Sequence, residues 1–220
     1  MAMKTIFWDV DTQYDFMMPD GKLYVPDAEK IIPNLEQLTR YAREKHIPIF
    51  GSVDYHNPND PEISDNPDFR ETFPPHCLKG DPGQEKIEAT RPENPLWIDS
   101  DPIPEEELRN MLSRHRGEII FRKQRFDVFS NPNVIPVLNI VQPERIVVYG
   151  VALDVCDKYA VEGFLKLGKY DIWLVEDATK PIYPEAAEKL LEEWSKKGVR
   201  IVKTADIVEK EALFTEAVVS

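Results

Sequence analysis

Apolar residues recur in short runs of strand length that are separated by segments with helical spacing. Six such runs predict β-strands at residues 4–10, 47–53, 118–121, 145–149, 171–175 and 199–202. Between them, apolar residues at intervals of three and four predict helices at residues 27–45, 104–116, 154–167 and 184–197. Gly168 and Gly198 follow the last two helices, as is typical of helix ends. Strands therefore alternate with helices over most of the chain.

This alternation predicts an α/β fold with a doubly wound, mostly parallel six-stranded sheet and helices on both faces, in a Rossmann-like three-layer arrangement. The predicted strands are apolar almost throughout, which is typical of strands covered on both faces. A chain of 220 residues suits a single domain over residues 1–220. Ligands of such sheets bind beyond the carboxyl ends of the strands, so we expect the chemistry just after Val10, Val53, Phe121 and Tyr149.

Residues 55–104 break the alternation. They are rich in proline, aspartate and asparagine, which predicts that most of the segment is loop. A loop of this length in a compact domain is usually either functional or disordered. Since this one also contains a histidine of a possible metal site, we interpret it as a metal-binding loop region.

Composition and charge narrow the classes of function. The formal net charge is -13, which opposes nucleic acid binding as a main function. No apolar run approaches the length of a membrane span, and the first ten residues lack the pattern of a signal peptide. We therefore expect a cytoplasmic protein with neither a nucleic acid nor a membrane partner. In that compartment the two distant cysteines, Cys77 and Cys156, are not expected to form a disulfide.

Three side chains at neighbouring strand ends could form a site for acyl transfer. Asp11 follows the first strand, Lys123 lies beside the third, and Cys156 stands near the start of a helix after the fourth. The helix dipole and a nearby lysine would lower the pKa of the thiol, and the carboxylate could take its proton. The first turn of the helix offers N–H groups to an oxyanion. The alternative is a salt bridge beside a buried, unreactive thiol.

A second set of side chains has the composition of a metal site. Asp54 and His56 are two residues apart on an extended segment, so their side chains face the same way. With His76 from the long loop they would form a set of one carboxylate and two imidazoles. Such a set suits zinc, iron or manganese and leaves positions open for water or substrate. The alternative is that His56 is a surface loop residue, since the D-x-H pattern is common.

Five motifs, taken in order, resemble those of the isochorismatase-like cysteine hydrolases. They are D-x-Q-x-D-F from Asp11 to Phe16, D-x-H at residues 54–56, P-x-H-C at residues 74–77, the lysine at position 123, and G-V-A-x-D-x-C at residues 150–156. The resemblance extends over about residues 4–202. Within that superfamily, the metal set is most similar to that of the nicotinamidases and pyrazinamidases.

The resemblance implies a mechanism. Asp11 would act as general base and then as acid, and Lys123 would hold the thiolate. Cys156 would attack the carbonyl carbon of an amide, form a thioester and release ammonia. The N–H groups of Ala152 and Cys156 would form the oxyanion hole, and the family implies a cis peptide bond at Val151–Ala152.

The resemblance also implies ligands and partners. Asp54, His56 and His76 would hold one divalent metal ion, with zinc expected and iron or manganese as options. The substrate would be nicotinamide, as in NAD salvage, or a related small aromatic amide, and Phe16 would pack on its ring. Phe73 stands where nicotinamidases usually have tryptophan, so the exact amide is open. Family members are commonly dimers or tetramers, which implies a homo-oligomer.

Three other interpretations remain open. A metal-independent type of cysteine hydrolase would act on another small amide or a carbamoyl compound, although such relatives generally lack the complete metal set.

The stretch F-W-D-V-D-T also matches the first motif of haloacid-dehalogenase-type phosphatases, with Asp9 as nucleophile, Asp11 as acid and base, and magnesium. That family needs a later acidic pair, and here the fourth strand runs into G-V-A-L-D-V-C instead. If the chain is not such a phosphatase, we expect the carboxylate of Asp9 to bond Lys123 or a backbone N–H. The last interpretation is a non-enzymatic binding domain.

Overall fold

The computed structural model describes residues 4–209, which contain one sheet of seven strands. In chain order the strands are β1 Thr5–Val10, β2 Ile49–Asp54, β3 Leu96–Ile98, β4 Ile119–Lys123, β5 Arg145–Val151, β6 Asp171–Lys180 and β7 Arg200–Val202. Their order across the sheet is β3-β4-β2-β1-β5-β6-β7, and every neighbouring pair is parallel. β1 lies in the middle of the sheet, with β2, β4 and β3 on one side and β5, β6 and β7 on the other, which confirms the predicted doubly wound α/β fold.

Helices cover both faces of the sheet. Their bounds are α1 Tyr14–Met17, α2 Ile32–Glu44, α3 Glu105–Arg114, α4 Val134–Val141, α5 Cys156–Leu167, α6 Pro184–Lys196 and α7 Thr204–Val208. The buried side chains of α3 to α6 belong to the core on one face, and those of α1, α2 and α7 belong to the core on the other. Within residues 4–209, no helix has the length and apolar character needed to span a membrane.

Adjacent residues of β1 enter the two cores, because side chains alternate across a strand. On one face the ring of Trp8 lies 5.6 Å from that of Phe121 and 5.0 Å from that of Phe164 on α5. On the other face Phe7 stacks on Tyr41 of α2 at 6.5 Å. Burying a phenylalanine side chain contributes about 1.5–3 kcal/mol. The sheet is therefore packed against helices on both faces, which fixes the positions of the carboxyl ends of its strands.

The structure differs from the prediction in the number of strands. The sequence predicted six, and the seventh is β3, which pairs with β4 at the edge of the sheet. This strand has only three residues and lies within the segment predicted as loop. Helix α4 was not predicted either. Seven of its eight residues, V-I-P-V-L-N-I-V, are apolar, so the sequence shows no alternation of polar and apolar positions with helical spacing. It also contains Pro136.

The long loop is attached to the ends of the central strands. The side-chain amide of Gln13 donates from Nε2 to the carbonyl oxygens of Asp54 and Gln84, both at 2.8 Å. Its Oε1 accepts the N–H of Asp54 at 2.7 Å. The carboxylate of Asp15 accepts the N–H of Cys77 at 2.7 Å. Two side chains of the D-x-Q-x-D-F motif thus fix the loop against β2.

Candidate active site

The ends of β1 and β4 and the start of α5 place three candidate residues around one lysine. The Nζ of Lys123 lies 2.8 Å from Asp11 Oδ2 and 3.7 Å from Cys156 Sγ. Ser52 on β2 donates from its hydroxyl to Asp11 Oδ1 at 2.7 Å, which orients the carboxylate. Asp11, Lys123 and Cys156 are all buried. A carboxylate, a cation and a thiol therefore share a site that excludes most solvent.

Burial dominates the protonation of this cluster. Burial raises the pKa of the Cys156 thiol. The charge of Lys123 opposes this, but the carboxylates of Asp11 and Asp54 add to it, so the thiol pKa lies well above its usual range. We expected the helix start and the lysine to lower the thiol pKa, and Cys156 is indeed the first residue of α5. Burial and the two nearby anions outweigh the effect of Lys123 on the thiol pKa. A thiol with a raised pKa would need a base to remove its proton before it could act as a nucleophile.

Asp54 connects this cluster to a second one. Its Oδ1 accepts a short hydrogen bond from Lys123 Nζ. Its Oδ2 lies 3.8 Å from His56 Nε2 and 3.6 Å from His76 Nε2. Burial raises the pKa of the Asp54 carboxyl, but Lys123 and the two histidines together lower it by more. The pKa therefore lies well below its usual range. Asp54 is therefore a carboxylate shared between the lysine and the imidazoles, an arrangement that the motifs did not reveal.

The second cluster has four members rather than the predicted three. One possible ligand atom from each of Asp54, His56, Glu62 and His76 lies within 4.8 Å of the others, and all four residues are buried. Within residues 4–209, both ring nitrogens of His56, His76 Nε2 and Glu62 Oε1 have no hydrogen-bond partner. Leaving buried polar atoms unpaired is costly, and a divalent cation would satisfy them. This mixture of carboxylates and imidazoles therefore fits a metal ion such as zinc, iron or manganese.

Two members of this metal group have surroundings that suit ligation. His76 Nδ1 lies 2.8 Å from the carbonyl oxygen of Pro74, so a proton on Nδ1 leaves the lone pair of Nε2 for a metal. Burial and the carboxylate of Asp54 raise the pKa of Glu62 to about 7. A nearby cation would favour the charged form of that carboxyl. Sequence reasoning missed Glu62, which belongs to none of the five motifs.

The two candidate oxyanion donors lie in the segment before α5 and at the first residue of that helix. The Val151–Ala152 peptide bond is cis, as the resemblance implied. The carbonyl oxygen of Ala152 accepts the N–H groups of Val155 at 3.0 Å and Asp157 at 3.1 Å, which folds the segment into a compact turn. Since Cys156 begins the helix, its own N–H has no acceptor within the helix. Backbone donors therefore lie next to the thiol.

A cavity of about 270 Å³ opens beside Cys156. Both predicted ring contacts, Phe16 and Phe73, line it, and so does His76. The ring of Phe16 lies 5.5 Å from the imidazole of His76, which brings one wall of the cavity to the metal group. Phe126, whose ring is 5.2 Å from that of Phe73, also lines the cavity and was not predicted. The cavity suits a small, flat molecule that reaches both clusters at once.

Comparisons with known proteins agree with this geometry. The family described as Isochorismatase domain matches residues 6–206. The chain belongs to the isochorismatase family. Among solved structures, a pyrazinamidase of Pyrococcus horikoshii in complex with zinc is 26% identical, with 91% of this chain and 99% of that one covered and a TM-score of 0.70.

Two further solved structures share the fold with this isochorismatase-family chain. A pyrazinamidase/nicotinamidase of Streptococcus mutans is 22% identical over 90% of this chain and 99% of its own, with a TM-score of 0.70. An N-carbamoylsarcosine amidase of Thermoplasma acidophilum is 23% identical over 92% of this chain and 97% of its own, with a TM-score of 0.68. No protein of curated function shows a significant match. The chain is therefore an isochorismatase-family hydrolase with amidases among its structural neighbours.

In this isochorismatase-family chain, Asp9 forms a buried ion pair behind the site. Its carboxylate accepts hydrogen bonds from Lys86 Nζ at 3.0 Å and from the hydroxyl of Thr12 at 2.9 Å. We expected Lys123 or a backbone N–H as its partner, and this was wrong because Lys86 of the long loop reaches Asp9 instead. The pairing, together with the family assignment, argues against a phosphatase that uses Asp9 as nucleophile.

Proposed function

We propose that the protein is a metal-dependent cysteine amidase that hydrolyses nicotinamide, or a related small aromatic amide, to the acid and ammonia. The observation that carries this proposal is the grouping of Asp11 and Cys156 around Lys123 at the wall of a cavity lined by aromatic rings. The likeness to a zinc-containing pyrazinamidase supports it. The metal group beside the cavity supports the dependence on a metal.

In the proposed reaction Asp11 takes the proton from the Cys156 thiol as the sulfur forms a bond to the amide carbon. Lys123 keeps its positive charge throughout, because the two carboxylates beside it raise its pKa more than burial lowers it. That charge stabilises the thiolate as it forms. The oxyanion accepts hydrogen bonds from the N–H groups of Ala152 and Cys156.

Asp11 then gives its proton to the leaving nitrogen, the C–N bond breaks, and ammonia departs from the thioester. A water molecule attacks the thioester while Asp11 takes one of its protons. The C–S bond breaks, the proton returns to Cys156, and the acid is released. Asp54, His56, Glu62 and His76 would hold a divalent cation, which when bound supplies a Lewis-acid site for a ring nitrogen or a water at the cavity wall.

The experiment that tests this function is ammonia release from nicotinamide by protein loaded with zinc. Cys156→Ala should lower the rate more than about 1000-fold, because the nucleophile is lost. Cys77→Ala is the matched control, since Cys77 is the other buried cysteine, does not line the cavity, and directs its thiol to the carbonyl oxygen of Gly83. This control should retain turnover.

Comparable turnover by Cys156→Ala would remove the thioester from the mechanism. Full turnover of a ureido or carbamoyl compound after the metal has been stripped with a chelator would favour the metal-independent type of cysteine hydrolase. Loss of turnover on chelation and its return with zinc would support the proposal.

A further inference from the structure

Four aromatic rings form a continuous wall along one side of the cavity. They are Phe69, Phe73, Phe126 and Tyr159, and we call them the aromatic wall. Successive ring centroids are 6.2, 5.2 and 6.3 Å apart. The two end rings, Phe69 and Tyr159, are 64% and 42% exposed, so both ends of the wall reach the protein surface. The wall therefore runs along the rim, from the long loop to α5.

A cation stands at each end of the aromatic wall. Arg70 directly follows Phe69, and Lys158 directly precedes Tyr159. Both cations line the cavity. Neither side chain forms a salt bridge or hydrogen bond with any part of the chain within residues 4–209. In a chain with a formal net charge of -13, two unpaired cations on one cavity rim need a reason.

The two carboxylates that line the same cavity form their hydrogen bonds with groups other than these cations. They are Asp54 and Asp154. Asp154 accepts the N–H of Ile182 at 2.8 Å and that of Tyr183 at 2.7 Å, one on each carboxylate oxygen. Asp54 is bonded to Lys123 and is itself a member of the metal group. Both carboxylates thus bond to groups other than Arg70 and Lys158, whose side-chain donors stay available to a ligand.

The two cations are held on ordered backbone. Lys158 lies in the first turn of α5, close to Cys156, and is partly buried. The N–H of Arg70 donates to Asp68 Oδ1 at 2.9 Å, and the same oxygen accepts the N–H groups of the next two residues. A turn closed by three such bonds restricts where the arginine side chain can start. Both side chains therefore start from fixed backbone positions on the rim.

We propose that the cavity selects amides whose acyl part carries a carboxylate or another anionic group, with Arg70 and Lys158 as the residues that bind this group. The flat body of the substrate would lie along the aromatic wall, with the amide carbon at Cys156. Guanidinium and ammonium groups form their strongest hydrogen bonds with oxyanions, which gives such substrates an advantage over uncharged amides of the same shape. This inference rests on the proposed amidase function.

The test compares two ligands of equal shape and different charge. One is nicotinamide with a carboxylate on its ring, and the other has a nitro group at the same place, which is flat and of similar size but uncharged. Binding is measured by calorimetry to the zinc-loaded Cys156→Ala protein, so no ligand is consumed. The carboxylate ligand should bind about tenfold more tightly or better. Raising the salt concentration should narrow the difference.

Substitutions at the rim assign the effect to its residues. In the Cys156→Ala background, Lys158→Gln and Arg70→Gln should each reduce the ratio of the two affinities several-fold. Lys166→Gln is the matched control, since Lys166 is an exposed lysine at the other end of α5 that does not line the cavity. It removes the same charge and should leave the ratio unchanged.

Equal affinities for the two ligands, or a ratio that neither rim substitution changes, would overturn the proposal. So would the absence of measurable binding of the carboxylate ligand at millimolar concentration. Turnover of both ligands by the unsubstituted protein is measured in parallel. A charge preference without turnover would reject the amidase function alone, and turnover without a charge preference would reject the anion subsite alone.

Discussion

Substituting one partner of the buried ion pair between Asp9 and Lys86 should destabilise the fold much more than substituting both partners by apolar residues. The Lys86 Nζ and Asp9 Oδ2 atoms are 3.0 Å apart, and the side chains are 1% and 4% exposed. At an effective dielectric constant of about 20, two charges at this distance attract by about 5–6 kcal/mol. Removing both from water costs a comparable amount, so the net contribution of the pair is small. Removing one partner, however, leaves the other charge buried and unpaired.

We therefore predict that Asp9→Leu and Lys86→Met each destabilise the fold by about 3–5 kcal/mol, and that the double substitution costs far less than their sum. For a chain of this length, a single substitution would lower the melting temperature by roughly 6–20 °C. Burial already raises the pKa of Asp9, against the effect of Lys86. The carboxyl can thus take up a proton in Lys86→Met, so the cost of that variant should shrink as the pH falls.

The assay is urea unfolding followed by circular dichroism, with the four proteins of the cycle measured under the same conditions. Arg109→Met is the control, because Arg109 forms an exposed ion pair with Glu105 on α3 and should change stability little. Additive single costs, with no coupling in the cycle, would refute the reasoning. A cost for Lys86→Met as small as that of the control would refute it too.

Three other substitutions test separate features. Glu62→Gln should raise the dissociation constant for zinc about tenfold or more, as measured by calorimetry, while Glu71→Gln, exposed on the same loop, should not. Burial raises the pKa of Asp157 to about 8, whereas the unfolded value is about 3.9. The folded state thus binds the extra proton, and stability falls as pH rises between these values. As the pH rises across that window, the free energy of unfolding of Asp157→Asn should come to exceed that of the unsubstituted protein by up to several kcal/mol, and the two should be equal near pH 4. A difference that stays constant with pH would contradict this. Gly83→Ala would place Cβ 2.2 Å from Asp15 Oδ1 and should cost about 1–3 kcal/mol, so an unchanged melting temperature would count against the packing described.

The central strands could be predicted from the sequence because their apolar runs are continuous. The stretch around Trp8 and the run at residues 145–149 are buried on both faces, and such strands differ clearly from amphipathic helices. β3 could not be predicted in the same way. Its three residues, Leu96 to Ile98, are too few to show a period, and their pairing with Ile119 is a long-range contact. Helix α4 was hidden because its sequence is apolar on every side.

The candidate site was predictable where a motif stands at a strand end. Asp11 and Cys156 could be located because the sheet rule and the motif order agree. Glu62 could not, since it lies among other acidic loop residues such as Asp60 and Asp65, and no spacing separates it from them. Nor did any pattern show that Lys123 bonds to two carboxylates at once. Both features depend on how the long loop folds back over the strand ends, which local sequence does not determine.

The strand ends and the rim of the cavity belong to different parts of the structure, and this affects how the substrate range of such a protein can evolve. Asp11 and Lys123 stand at the ends of strands that are clamped between two cores. The rim belongs to different parts of the chain, with Arg70 in the long loop and Lys158 in the first turn of α5. Substitutions at the rim can therefore accumulate without disturbing the strands that hold Asp11 and Lys123. Descendants of one ancestral hydrolase could in this way acquire new substrates while inheriting the same bond-breaking chemistry, and libraries for directed evolution should be concentrated on the rim.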